Sequence, residues 1–121
     1  MTVLRTEEHC KAIYTLLCKL PPFDKIEMPT ASKIKWIISN REDVLGEYEP
    51  EPHRITVSLA RQDHFENICK TILHEMVHMY LYLNGKSNYD RHDKTFKKWT
   101  AKIASVYGFD PKELSLLAGS V

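Results

Sequence analysis

The sequence has 121 residues, enough for a single domain over 1–121 with one modest hydrophobic core. Its hydrophobic fraction of 43% and charged fraction of 27% are typical of a globular protein and exclude a disordered or low-complexity chain. Lys and Arg number 17 against 16 Asp and Glu, a formal net charge of +1, so bulk charge favours neither a nucleic acid nor a membrane surface as partner.

The cysteines and the N-terminal residues bear on the cellular compartment. Cys10, Cys18 and Cys69 form no C-x-x-C pair and are odd in number, which argues against a disulfide framework and a cysteine zinc site. No apolar run reaches the roughly eighteen residues of a membrane span. Acidic residues stand near the N-terminus where a secretory signal would be apolar. We therefore expect a cytoplasmic protein with reduced thiols and no membrane partner.

The first half of the chain predicts one helix followed by three strands. Apolar residues at helical spacing predict a helix over 6–20, with Thr6 as its N-cap and the Pro21-Pro22 pair as its end. Apolar and polar residues then alternate with the period of a β-strand in three segments. These predicted strands are 33–39, 44–48 and 54–60.

The second half predicts two long helices and a short one. The first long helix spans 63–83 and ends at Asn84-Gly85. After a polar loop, the second spans 92–107 and ends at Gly108, and a short helix begins at Pro111. This order of elements predicts an α+β fold with a small three-stranded sheet on one side.

An H-E-x-x-H motif, His74-Glu75-Met76-Val77-His78, lies in the first long helix. Residues four apart are separated by about 40° around a helix axis and about 6 Å along it, so both imidazoles can approach one tetrahedral metal ion. Glu75 is rotated by about 100° from His74, too far to share the metal comfortably but well placed to take a proton from an attacking water. Both histidines share the polar side of the helix with Thr71, so we expect them to face a cleft or solvent.

A catalytic metal site needs a third protein ligand. Leu81 and Asn84 stand where metzincins have Gly and His, and Asn84 also excludes a bacterial endoribonuclease family with three histidines. The remaining candidates are Asp90, His92, Asp93 and Glu113. His92 is favoured, because it begins the second long helix on the inward side, where the helix dipole favours the neutral imidazole that binds metals. Asp90 and Asp93 are interpreted as loop and first-turn residues, and one is a candidate acceptor for a ligand's ring N–H.

Two stretches resemble the SprT-like family of zinc metallopeptidases, relatives of the Spartan protease. The motif, the polar loop after it and the segment from His92 to Phe96 are similar to that family's H-E-x-x-H helix and G-H-G-x-x-F segment. Arg91 and Asp93 replace the two glycines. The stretch 46–59 resembles the family's Gly-x-Tyr strand and the Arg-Ile strand before the active-site helix. The resemblance covers nearly the whole chain, without the cysteine zinc ribbon that many members carry after the protease core.

This resemblance implies a single zincin-like α+β domain with an N-terminal helix, a small sheet, an active-site helix and a following helix that carries the third ligand. It implies one Zn²⁺ per chain bound by His74, His78 and His92. It further implies a metalloendopeptidase in which Glu75 is the general base and the partner is a protein or peptide substrate. The alternative is a zinc-stabilised binding module with little or no hydrolysis, which the presence of Glu75 disfavours.

Two surfaces are candidates for partner binding. The edge strand over 44–48 is a candidate for holding an extended substrate by strand addition. Better-known members of the resembling family act on proteins attached to DNA, and lysines on the second long helix offer a candidate phosphate-facing surface, although such a row is more often a solvated helix face. These lysines are Lys94, Lys97, Lys98 and Lys102.

Overall fold

The described part of the chain, residues 7–62 and 64–115 of a computed structural model, contains four α-helices, two short 3₁₀ helices and a three-stranded sheet. The α-helices are α1 (Glu7–Cys18), α2 (Phe65–Leu83), α3 (Lys94–Tyr107) and α4 (Pro111–Ser115). The strands are β1 (Lys35–Ser39), β2 (Gly46–Glu49) and β3 (Arg54–Ser58). The predicted α+β class is confirmed.

The helices differ from the predicted ones by at most two residues at the ends that the structure describes. Thr6, the expected N-cap of α1, lies outside the described residues, as does position 63 before α2. Helix α3 begins at Lys94, after His92, because the side chain of Asp93 caps it by accepting a hydrogen bond from the backbone N–H of Phe96 at 3.1 Å. The prediction that His92 begins this helix is therefore wrong by two residues.

The sheet has the order β1-β3-β2, so β3 is its central strand. Strand β1 runs parallel to β3, with Trp36 opposite Ile55, and β2 runs antiparallel to β3, with Gly46 opposite Val57. The chain reverses direction between β1 and β2, but the two strands do not pair with each other. Strand β3 lies between them. This connection leaves β2 at one edge of the sheet.

Helix α2 lies at the centre of the molecule. Every residue from Ile68 to Met79 is buried, because α2 contacts β2, β3 and each of the other three helices. No helix within 7–62 and 64–115 combines the length and apolarity that crossing a membrane requires. The central helix carries the H-E-x-x-H motif, so the motif is enclosed by the rest of the fold.

Candidate metal centre

Three histidines point their Nε2 atoms at a common space between α2 and the start of α3. The Nε2 atom of His92 lies 3.1 Å from that of His74 and 3.2 Å from that of His78. The possible ligand atoms of the three side chains all lie within 4.8 Å of one another. The fold thus brings together the three histidines that were predicted to bind a metal.

Backbone carbonyls fix the tautomers of the two histidines on α2. The Nδ1 atom of His74 lies 2.9 Å from the carbonyl oxygen of Leu114, and that of His78 lies 2.7 Å from the carbonyl oxygen of Tyr89. A carbonyl oxygen only accepts, so each Nδ1 carries the hydrogen and donates it. In a neutral imidazole the Nε2 atom then presents a lone pair. Two lone pairs therefore face His92, which is the arrangement that a bound cation stabilises.

The spacing of these nitrogens fits a tetrahedral metal ion. Zn–N bonds of about 2.0–2.1 Å at the tetrahedral angle place ligand nitrogens about 3.3 Å apart. The separations of 3.1 and 3.2 Å are within about 0.2 Å of that value. Metal-binding histidines also ordinarily donate their other ring N–H to a carbonyl or carboxylate, as His74 and His78 do here. The three residues therefore suit a metal ion.

The ring of Phe96 contacts all three imidazoles. Its centroid lies 4.8 Å from that of His74, 4.5 Å from that of His78 and 4.6 Å from that of His92. Phe96 itself is fully buried. The apolar ring therefore shields the imidazoles from water on the side where it packs.

Burial keeps these imidazoles neutral. It lowers the pKa of His74 to about 3 and that of His78 to about 4, because a charged ring would lose its hydration. The pKa of His92 is lowered as well, first by burial and then by the positive charge of Lys97. Neutral imidazole is the metal-binding form. Burial therefore favours the neutral imidazole at His92, a cause that the sequence argument did not include.

The expectation that His74 and His78 face a cleft or solvent is wrong, since their exposed fractions are 0% and 1%. The expectation assumed that only the apolar side of the helix is covered, whereas α2 is covered both by the sheet and by α3 and α4. The polar side of the helix is consequently buried too, and Thr71 and Glu75 on it are both at 0%.

Glu75 lies on α2 beside the edge strand β2. A Cβ atom built on Gly46 of β2 would lie 3.1 Å from Oε2 of Glu75 and 2.5 Å from Cγ2 of Thr71. The second distance is shorter than side chains tolerate, so glycine at position 46 is what allows α2 to approach β2 this closely. The Glu75 carboxylate is therefore held against a strand at the sheet edge.

A buried glutamine connects α2 to the sheet through hydrogen bonds. Gln62 donates to the carbonyl oxygens of Leu45 at 2.9 Å and Ser58 at 2.7 Å, and it accepts from Thr71 Oγ1 at 2.8 Å. These bonds join the residue before β2 and the last residue of β3 to α2, one turn before Glu75. Sequence reasoning missed this contribution, because a lone glutamine in a loop carries no recognisable pattern.

The other three candidate ligands do not join the histidines. Asp90 is exposed, and Asp93 caps α3 and accepts a hydrogen bond from Asn88. Neither accepts the ring N–H of His74 or His78, because the backbone oxygens of Leu114 and Tyr89 do so. Glu113 binds Lys70, with 2.7 Å between Oε1 and Nζ. His92 is the candidate that joins the motif.

Aromatic residues form a second cluster beside the site. The rings of Tyr48, Tyr82 and Tyr89 pack on one another, with Tyr48 and Tyr89 centroids 6.2 Å apart. His53 is half-buried beside them, with Nδ1 at 2.6 Å from the hydroxyl of Tyr48. Tyr82 donates to Glu51. The cluster packs β2 against the loop that supplies the Tyr89 carbonyl.

The family comparison covers this whole arrangement. The model of the SprT-like family matches residues 21–115, which include the sheet, the three histidines, Glu75 and both carbonyls. The chain belongs to the SprT-like family. The resemblance read from the sequence is therefore confirmed, together with an arrangement of histidines consistent with a zincin-like fold. No curated protein and no solved structure matched the chain in the corresponding comparisons.

Proposed function

We propose that this SprT-like protein is a zinc metallopeptidase that hydrolyses peptide bonds in protein or peptide substrates. The observation that carries the proposal is that the Nε2 atoms of three histidines converge. Two of these histidines lie on α2, which also carries the buried carboxylate of Glu75. In the proposed enzyme one metal ion per chain is held by His74, His78 and His92, and Glu75 is the general base.

The donor set favours zinc among common metal ions. Imidazole nitrogens suit zinc and its first-row neighbours, whereas magnesium and calcium prefer oxygen ligands. Three protein ligands are also the number that catalytic zinc sites use, which leaves a position for substrate. When bound, zinc supplies Lewis-acid polarisation of the scissile carbonyl and lowers the pKa of a coordinated water.

Glu75 moves the proton in the proposed reaction. Its carboxylate accepts a proton from the attacking water as the water oxygen bonds to the carbonyl carbon. It then delivers that proton to the amide nitrogen as the C–N bond breaks, so the leaving group departs as a neutral amine. Burial of Glu75 at 0% exposure excludes bulk water from competing for this proton.

Strand β2 is the proposed docking site for substrate. It lies at the sheet edge, so an extended peptide can add to it by main-chain hydrogen bonds. Gly46 in this strand adjoins the carboxylate of Glu75, which brings a peptide on β2 to the proposed base. The location of the base thus agrees with an extended peptide as the substrate.

We include DNA-associated proteins among the proposed substrates because of a basic and aromatic surface on α3. Trp99 on α3 lines a shallow surface pocket with Lys94, Lys98 and Lys102, and the Nζ atom of Lys102 lies 5.1 Å from the indole ring. Cationic and aromatic side chains together are what single-stranded nucleic acids bind. Adding single-stranded DNA to a cleavage assay with a DNA-binding substrate tests this part, which fails if DNA changes neither rate nor binding.

The peptidase proposal is tested with the purified chain and its Glu75→Gln variant. We expect elemental analysis to find about one zinc per chain in both proteins. The parent should cleave an unfolded protein such as casein, and Glu75→Gln should be slower by about 10²–10⁴-fold because the amide cannot accept the proton.

Three outcomes distinguish the alternatives. A parent without metal and without uptake of added zinc would overturn the metal centre. Equal cleavage by parent and Glu75→Gln would overturn the assignment of Glu75. A parent that binds zinc and cleaves none of a panel of unfolded proteins would favour the zinc-stabilised binding module instead.

A further inference from the structure

The short helix α4 supplies one of the two carbonyls that orient the metal centre. Its residue Leu114 is fully buried, and its carbonyl oxygen accepts the Nδ1–H of His74 at 2.9 Å. A helix of five residues has no stability of its own in water, so its place on the molecule depends on tertiary contacts. What holds α4 against α2 therefore also holds this carbonyl on His74.

A buried lysine makes that connection. Lys70 lies one helical turn before His74 on α2, and its side chain is only 8% exposed. Its Nζ atom lies 2.7 Å from Oε1 of Glu113, the residue next to Leu114, and 5.0 Å above the ring of Phe109. The hydrogen bond to Glu113 is the largest of the effects that raise the pKa of Lys70, so the lysine is charged. The side chain of Glu113 is 52% exposed, so the ion pair joins the surface of α4 to a buried position on α2.

We propose that the Lys70–Glu113 ion pair is a positioning device for the metal centre, which seats α4 so that the Leu114 carbonyl fixes the tautomer of His74. The inference rests on the proposed metal-binding role of His74. Neither Lys70 nor Glu113 reaches the metal in this scheme. They act through a backbone carbonyl, and their loss leaves all three histidines in the chain.

The structure provides a matched control in Glu66. It also pairs with Lys70, with 3.2 Å between Oε2 and Nζ, but it lies on α2 itself, four residues earlier. Glu66→Gln and Glu113→Gln therefore each remove one negative charge from the same lysine. Only Glu113→Gln weakens the connection between α2 and α4.

The test measures metal affinity in the full chain. Zinc and cobalt(II) are titrated against a chromogenic chelator for the parent, Glu113→Gln and Glu66→Gln, and the visible spectrum of the cobalt form is recorded. Loss of an outer partner of a metal ligand lowers affinity by about 10–100-fold. Here the carbonyl remains in the chain, so we expect a loss of about threefold to tenfold for Glu113→Gln, with an altered cobalt spectrum. Glu66→Gln should match the parent in both.

A purely structural role predicts a different pattern. If Glu113→Gln keeps the parent's affinity and spectrum, or if both variants lose affinity equally, the positioning role is overturned while the metal centre stands. A parent that binds neither ion would overturn the metal centre and this inference together. Lys70→Arg keeps the charge and should retain more affinity than Lys70→Met, and the reverse order would contradict the ion pair.

Discussion

The functional side chains on two sides of helix α2 are held in place in different ways. On the side toward α3 and α4, His74 and His78 depend on backbone carbonyls that lie 40 and 11 residues further along the chain. On the side toward the sheet, Glu75 depends on a close approach to β2 that the missing side chain of Gly46 permits. These two proposed metal ligands are thus oriented by hydrogen bonds and the proposed base by packing. Changes on one side should leave the function of the other intact.

The largest effect is expected from Phe96→Ala, which removes the ring beneath the three imidazoles. Truncating a buried phenylalanine destabilises a protein by about 3–5 kcal/mol. We expect a loss of this size in urea unfolding of the metal-free protein, together with weaker zinc binding. Trp99→Ala is the control, because that ring is on the same helix and packs on Tyr80 at 4.6 Å. Equal zinc affinities in the two variants would contradict a specific role for Phe96.

His92→Ala should remove one ligand and leave the sheet side unchanged. We expect zinc affinity to fall by about a hundredfold or more, which corresponds to about 2.7 kcal/mol. Because a metal that binds only the folded state stabilises it, chelation should lower the melting temperature less in His92→Ala than in the parent. Asp90→Ala should behave like the parent. Unchanged affinity in His92→Ala would move the third ligand to another residue.

Gly46→Ala tests the side of α2 that faces β2. The added Cβ would lie 2.5 Å from Cγ2 of Thr71, so the helix or the strand must shift and move Glu75. We expect peptide hydrolysis to fall by about tenfold while zinc affinity stays the same. Thr71→Ser removes that methyl group and keeps the hydroxyl, so the double variant should recover activity. A loss of zinc binding in Gly46→Ala would show that the two sides are coupled.

The smallest expected effect is a pH dependence of the metal-free protein. His74 and His78 have pKa values of about 3 and 4 in the fold and 6.5 when unfolded. The unfolded chain therefore binds more protons below pH 6.5, and stability falls as pH decreases toward 4. Between pH 7 and pH 6 we expect a loss of about 1 kcal/mol in chelator-treated protein. A His74→Gln/His78→Gln variant should lose less over the same interval.

Local patterns in the sequence predicted the helices and strands, and they singled out the three histidines that converge in the fold. The spacing of His74 and His78 is set by the geometry of one helix, and the position of His92 follows from the next helix folding back. Both are therefore visible in a linear sequence. The order of the strands is set by pairing between distant segments, and nothing in 33–60 places β3 between β1 and β2.

Contacts made by backbone atoms could not be predicted in this way. Every residue has a carbonyl, so the sequence does not distinguish Leu114 and Tyr89 as acceptors for histidine. The contact of Phe96 with all three imidazoles likewise depends on how α3 crosses α2. The burial of His74 also depends on α3 and α4, and the periodicity of the α2 sequence alone contains no information about them.

A ribosome makes His74 40 residues before it makes Leu114. At about 5–20 residues per second, that interval lasts about 2–8 seconds. During it the imidazole of His74 has no Leu114 carbonyl to select its tautomer, and either ring nitrogen is free to take up a metal ion. The ordered set of Nε2 atoms arises only after α4 has been synthesised and docked. In the proposed scheme, metal binding by this ordered set therefore follows the docking of α4 and not the synthesis of the H-E-x-x-H helix.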